Sequence, residues 1–302
     1  PQDFESMTGQ EHVVRTIENA IKLDRVAHAY LFAGPRGVGK TTAARLLARA
    51  LNCEKGPTAQ PCGECKACLE IRDGNSPDVA EIDGASNNGV ENVREIRENA
   101  KYMPAGSRFK IYIIDEVHML SQAAFNALLK TLEEPPGHVK FIFATTEPGK
   151  LPDTILSRCQ RHNFRRISTR AMVDRLKQIS KLEKIEISES ALTSIAGQSE
   201  GGMRDALSLL DQVISACGLS PSDADVAEAL VGKFRGLGRY YREVADRQRE
   251  GVASGRLPAA FAVTDTIAQL DGLLSTPIAD DPLLNTTPPP DGLDVDGWKA
   301  RL

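Results

Sequence analysis

Eight residues, Gly34-Pro35-Arg36-Gly37-Val38-Gly39-Lys40-Thr41, constrain this chain more than any other feature. They match G-x-x-x-x-G-K-[ST], they follow the apolar run Ala29 to Ala33, and a helical pattern from Lys40 to Leu51 starts at once. Glycines at these spacings let the backbone curl so that its N–H groups face phosphate oxygens. Lys40 then neutralises the β/γ charge, and Thr41 offers a hydroxyl to Mg²⁺. The positive end of the helix dipole adds to the attraction. Gly34, Pro35, Arg36, Gly37, Val38, Gly39, Lys40, Thr41 and Thr42 are therefore the expected ATP contacts, and the fold that presents such a loop is α/β.

A strand–loop–helix of this kind needs a sheet, and the chain supplies one. From 1 to about 167, apolar runs at Ala29 to Ala33, Val79 to Asp83, Lys110 to Asp115 and Val139 to Thr145 alternate with helical patterns at Gln10 to Leu23, Lys40 to Leu51, Val90 to Tyr102 and Ser121 to Leu132. That rhythm predicts a parallel sheet with crossover helices, its strands buried on both faces. From 168 to 232 the strands stop. Three amphipathic segments, Thr169 to Glu183, Ser188 to Gln198 and Met203 to Cys217, predict a small helical domain. Residues 233–302 read as an unassigned and partly flexible segment. Ser275 to Gly297 holds five prolines and five aspartates with no Lys or Arg, which buries little apolar surface.

The run Ile111-Tyr112-Ile113-Ile114-Asp115-Glu116-Val117-His118 closes an apolar strand with two carboxylates, at the place where open α/β sheets hold ligands. Asp115 suits the Mg²⁺ shell with Thr41, and Glu116 suits polarising a water for attack on the γ-phosphate. An isolated Asp-Glu pair is more often a solvated strand end, but downstream of a phosphate loop the functional reading prevails. The strand Val139 to Thr145 runs into Thr146, and either threonine can hydrogen-bond a γ-phosphate or the attacking water. Arg158 and Arg204 each stand near an element boundary, where a lone arginine is usually a surface charge.

Cys53, Cys62, Cys65 and Cys68 form C-x8-C-x2-C-x2-C directly after the helix that follows the phosphate loop. Four thiolates at such spacing suit a closed tetrahedral Zn²⁺ site of structural role within a module at 52–69. An iron–sulfur cluster and unpaired thiols are the alternatives. Cys159 and Cys217 read as small buried residues.

Composition narrows the remaining classes. Residues 1–30 lack a secretory pattern and no long apolar run exists, so a cytoplasmic protein without a membrane span is expected. A net charge of -4 argues against a globally basic coat for nucleic acid, so any DNA contact must be local.

Together these residues resemble the clamp-loader ATPases of bacterial DNA polymerase III, in their tau/gamma branch. The likeness covers residues 1–232 and is carried by His28-Ala29-Tyr30-Leu31-Phe32, the four-cysteine insertion, Phe125-Asn126-Ala127-Leu128-Leu129-Lys130-Thr131-Leu132-Glu133-Glu134-Pro135-Pro136 and Ile155-Leu156-Ser157-Arg158-Cys159. It implies an AAA+ nucleotide-binding domain over 1–167 and a helical lid over 168–232. It implies catalytic-site roles for Lys40, Asp115 and Glu116. Thr146 becomes the first sensor, Arg158 an arginine finger acting on a neighbour's ATP, and Arg204 a second sensor of the chain's own ATP. ATP, Mg²⁺ and Zn²⁺ are the implied cofactors. Other loader subunits, a sliding clamp, primer-template DNA and a replicative polymerase are the implied partners. The chain begins at Pro1, inside the family's N-terminal region, so part of the adenine pocket is expected to be missing. After Gly232 the likeness ends, which suits a fused or chimeric segment. The competing readings are a helicase or recombination AAA+ ATPase, suggested by Asp115-Glu116-Val117-His118, and a module that holds ATP and zinc without turnover.

Overall fold

The computed structural model describes residues 3–230, and the segment expected at 233–302 lies outside them. The elements run α1 (Glu11–Lys22), β1 (Ala29–Ala33), α2 (Lys40–Asn52), α3 (Lys66–Asp73), β2 (Val79–Asp83), α4 (Val90–Asn99), β3 (Lys110–Asp115), α5 (Gln122–Glu133), β4 (Val139–Thr145), α6 (Asp153–Leu156), β5 (Gln160–Asn163), α7 (Thr169–Leu182), α8 (Glu189–Gln198) and α9 (Met203–Cys217). They fall into two compact units. Among the described residues, one holds 3–172 with Gly201–Arg204, and the other holds Val173–Glu200 with 205–230.

The first unit is a five-stranded sheet in the order β2-β3-β4-β1-β5, with every neighbouring pair parallel. Alternation along the central strands sends side chains to both faces. Tyr30, Phe32, Ile111, Ile113 and Ile142 pack with Val13, Ile17 and Ile21 of α1 and with Leu46, Leu47 and Leu51 of α2. Leu31, Tyr112, Ile114, Phe141 and Phe143 pack with Val93 and Ile96 of α4 and with Phe125, Leu128 and Leu132 of α5. Burial on both faces explains why β1, β3 and β4 read as almost unbroken apolar runs. Parallel register brings Ala33, Thr145 and Asn163 level across three strands, and Asp83 level with Asp115 across the other two. All strand C-termini therefore share one edge, where ligands of such sheets collect.

Four elements differ from the sequence expectation. β2 is an edge strand whose Ala80, Glu81 and Asp83 are exposed, so it is not buried on both faces. β5 is a strand of Gln-Arg-His-Asn that no apolar pattern announces; only His162 is buried, stacked on Tyr30 with ring centroids 5.8 Å apart. α3 rises inside the cysteine segment, and α4 stops at Asn99 short of Tyr102.

In the second unit Leu192 and Ile195 of α8 and Leu209, Leu210 and Val213 of α9 are buried. The Ser188 hydroxyl caps α8 by accepting the Ala191 N–H at 3.0 Å. Residues 223–230 are helical again. Among the described residues no helix is long and apolar enough to cross a membrane.

Candidate nucleotide site and metal centre

The loop between β1 and α2 is shaped by glycine at two positions. At Gly34 (φ +155°) an added Cβ would sit 2.4 Å from the Phe164 carbonyl oxygen, so only hydrogen fits there. Gly39 (φ +99°) turns the chain into α2 in the left-handed region. Lys40 is 6% exposed, and its Nζ donates to the carbonyls of Gly34 and Pro35 at 2.8 Å each. Burial draws the Lys40 ammonium below its ordinary value, while Glu116 and Asp115 pull it back up. One positive charge is thus held against the loop, surrounded by inward-facing polar groups.

The acidic strand end meets this loop. The Thr41 hydroxyl donates to Asp115 Oδ2 at 2.5 Å, joining residues 74 positions apart that were both expected around Mg²⁺. Glu116 sits at φ 45°, ψ 45°, a left-handed conformation that strains a non-glycine residue by about 1–3 kcal/mol and concentrates at functional sites. Its Oε2 accepts the Thr146 N–H at 3.3 Å and the Thr146 hydroxyl at 3.0 Å. Thr145 has 0% exposure and turns instead to His118 Nδ1 at 3.0 Å. The pair that sequence leaves unresolved is thereby separated by geometry: Thr146 stands beside Glu116. Gly84, which sequence reasoning passed over, lies against the same strand end. Its N–H donates to the Asp115 carbonyl at 2.8 Å, and a Cβ there would meet the Glu116 carbonyl oxygen at 2.8 Å.

The two arginines lie apart from this cluster in different ways. Arg158 Nη2 pairs with Glu133 Oε1 at 2.7 Å and Nη1 donates to the Thr154 carbonyl at 2.7 Å. Its guanidinium is thus engaged on its own surface and makes no hydrogen bond to Lys40, Thr41, Asp115, Glu116 or Thr146 among the described residues. Arg204 is exposed, yet its backbone N–H donates to the Gly37 carbonyl at 3.2 Å, so the start of α9 is pinned to the phosphate loop. Just before it, Gly201 has φ +83° and approaches Arg166 so closely that a side chain has no room.

The sulfur atoms of Cys53, Cys62, Cys65 and Cys68 all lie within 4.8 Å of one another. Cys62 Sγ to Cys68 Sγ is 4.0 Å, close to the ~3.8 Å edge of a tetrahedron with metal–sulfur bonds of about 2.3 Å. Backbone N–H groups point at sulfur, Cys62 N to Cys53 Sγ at 3.4 Å and Cys65 N to Cys62 Sγ at 3.3 Å, as thiolate ligands require. The N–H groups of Glu64 and Cys65 bring the Cys62 thiol down to about 6, while burial pushes Cys68 up to about 12. The donor set therefore fits a metal ion. Cys159 and Cys217 are partly exposed, less enclosed than expected, and belong to no such cluster among the described residues.

Residues 9–168 match the family described as DNA polymerase III, delta subunit, and residues 171–219 match the DNA polymerase III clamp loader subunit, ATPase lid domain. DNA polymerase III subunit tau of Bacillus subtilis (strain 168) is 56% identical over 249 residues, 82% of this chain and 44% of that protein. Subunit tau of Escherichia coli (strain K12) is 54% identical over 215 residues, 71% of this chain and 33% of that one. The chain thus spans less than half the length of these relatives. Among solved structures, the Thermotoga maritima RuvB Holliday junction branch migration motor aligns with a TM-score of 0.57 at 20% identity, over 76% of this chain and 71% of that one, a likeness of AAA+ fold alone. With two family matches end to end across the sheet unit and the helices after it, the chain belongs to the clamp-loader subunits of bacterial DNA polymerase III, in their tau/gamma branch.

Proposed function

We propose that the chain binds Mg²⁺·ATP on the loop Gly34 to Thr42, hydrolyses it, and so serves as a motor subunit that opens a sliding clamp and releases it on primer-template DNA. The observation that carries this reading is the double contact of the acidic strand end: Asp115 on Thr41 and Glu116 on Thr146. Lys40 exchanges its two loop carbonyls for phosphate oxygens, which recovers the charge pairing that burial denies it. Thr41 and Asp115 would hold the Mg²⁺, which supplies charge neutralisation between the β- and γ-phosphates when bound. Glu116 takes the proton of the attacking water on a carboxylate oxygen, and Thr146 keeps that carboxylate aimed. Arg158 leaves Glu133 to reach a neighbouring subunit's nucleotide, and Arg204 reads the chain's own. The four thiolates of Cys53, Cys62, Cys65 and Cys68 would hold Zn²⁺ as a structural centre. The partners expected from the resemblance are other loader subunits, the clamp and the replicative polymerase.

Titration with Mg²⁺·ATP and single-turnover hydrolysis test the proposal. Lys40→Ala should abolish binding, and Glu116→Gln should bind normally without cleaving. Unchanged affinity in the first variant removes the phosphate-loop assignment. Turnover at the unmutated rate in the second removes Glu116 from the chemistry.

A further inference from the structure

His118 has no role in the reaction as described, yet it is the best-connected side chain beside Glu116. Its side chain is only 6% exposed. Nδ1 lies 3.0 Å from Thr145 Oγ1 and 3.4 Å from Glu116 Oε2, and Nε2 lies 3.4 Å from Glu147 Oε1. Glu147 is in turn held by Lys150 Nζ at 2.9 Å.

The hydrogen bonds around Thr145 point to one tautomer of the ring. The buried Thr145 hydroxyl already accepts the Glu147 backbone N–H at 3.0 Å, and its own proton needs an acceptor. Among the described residues that acceptor is His118 Nδ1. With Nδ1 accepting, the ring proton sits on Nε2, facing the Glu147 carboxylate. A bare Nδ1 offers Glu116 Oε2 a lone pair rather than a donor. Glu116 Oε2, the oxygen nearest Nδ1, is also the one that accepts the Thr146 N–H and hydroxyl.

We propose that His118 is a positioning residue for Glu116, a ring clamped between Thr145 and Glu147 whose Nδ1 edge leaves Glu116 Oε2 to the Thr146 N–H and hydroxyl. The end of β4 and the acidic end of β3 then move as one piece. The inference rests on the reading of Glu116 as the base. A space-filling role would need only the ring's volume; positioning needs an acceptor at Nδ1, and the two differ experimentally.

The test uses the 302-residue chain in two measurements. ¹⁵N chemical shifts of the His118 ring, assigned by comparison with His118→Asn, should show a protonated Nε2 and a bare Nδ1 near neutral pH, with that signature lost in Thr145→Val. A ring protonated on Nδ1 overturns the proposal whatever the enzymology shows. Single-turnover hydrolysis and Mg²⁺·ATPγS affinity supply the second arm. His118→Asn places an amide where Nδ1 stands and should keep turnover within about threefold, whereas His118→Leu should lose about 10- to 100-fold in turnover with affinity unchanged within about twofold. Equal turnover in the Asn and Leu variants, or a parallel loss of affinity and turnover, sinks the positioning role. Glu116→Gln is the comparator: if it still hydrolyses ATP, the reading of the base fails, and the ring's tautomer is decided by its spectrum alone.

Discussion

Replacing Gly34 by alanine puts a methyl carbon 2.4 Å from the Phe164 carbonyl oxygen and 2.8 Å from Phe164 Cβ, where ordinary contact begins at 3.4 Å. Phe164 has nowhere to go. Its N–H donates to the Ala33 carbonyl at 2.7 Å, and its ring is 3% exposed within the core. The loop must therefore withdraw by about 1 Å. Overpacking of this kind destabilises by about 1–3 kcal/mol, and forcing alanine into φ +155° adds roughly the same again. A total of about 2–6 kcal/mol is a large share of the 5–15 kcal/mol typical of a folded domain. Withdrawal also shifts the loop N–H groups that would face the phosphates, so Mg²⁺·ATPγS affinity should fall at least tenfold, about 1.4 kcal/mol. Urea unfolding and calorimetric titration read the two effects. Gly137→Ala is the control, because a Cβ there meets nothing within 4 Å, and its effect should stay under about 0.5 kcal/mol. A Gly34→Ala chain with unaltered unfolding midpoint and affinity refutes the argument that close approach dictates this glycine.

Other outcomes follow from the same structure. Cys65→Ser should cost the purified chain its single Zn²⁺ and lower its melting temperature before it lowers ATP affinity; elemental analysis finding no zinc in the unmutated chain refutes this. Asp78 is buried, which alone would raise its pKa, but the N–H groups of Ala105, Gly106 and Ser107 outweigh that and hold its carboxyl below the ordinary 3.8. A depressed folded value stabilises above the ordinary pKa and is lost as pH falls through the folded one, so part of the acid sensitivity below about pH 4 should vanish in Asp78→Asn. The same substitution should destabilise by about 2–3 kcal/mol at neutral pH, as urea titrations would reveal. Arg158→Ala should leave slow turnover of the isolated chain nearly unchanged and cripple it only when mixed with other loader subunits, as arginine fingers are worth about 10³–10⁵ in rate. A monomeric chain as impaired as Glu116→Gln would assign Arg158 to its own site.

Sequence made the centre of the fold legible because the centre obeys one rule at a time. β1, β3 and β4 are sandwiched between helices, so burial alone wrote their composition. β5 was illegible because its place depends on backbone pairing with β1, which Gln160 to Asn163 supply without apolar side chains. β2 was overread for the opposite reason: Val79 and Ile82 suggest an interior strand, but β3 covers only one edge. In the site, the phosphate loop, the acidic pair and the cysteine knuckle are local in sequence and were readable. Which threonine faces Glu116 was not, since it turns on the buried Thr145–His118 contact between β4 and the turn after β3. The Arg158–Glu133 pair joins two partly exposed residues 25 positions apart, and no pattern encodes it.

Helix α2 carries the phosphate loop at one end and the first cysteine just beyond the other, and that separation decides what kind of influence a metal held by the cysteines would have. From Lys40 to Asn52 it spans about 18 Å at ~1.5 Å per residue. A zinc ion with four thiolates carries a net charge of about −2. At an effective dielectric of about 20, a charge of that size and a unit charge that far apart interact by about 2 kcal/mol, and ions in solution, with a Debye length of about 8 Å, shrink this about tenfold. The field of such a centre therefore barely reaches the phosphates. What does reach them is stiffness: ten of the thirteen α2 residues are buried, so a fixed far end denies the rod the tilt that would otherwise blur the position of Lys40.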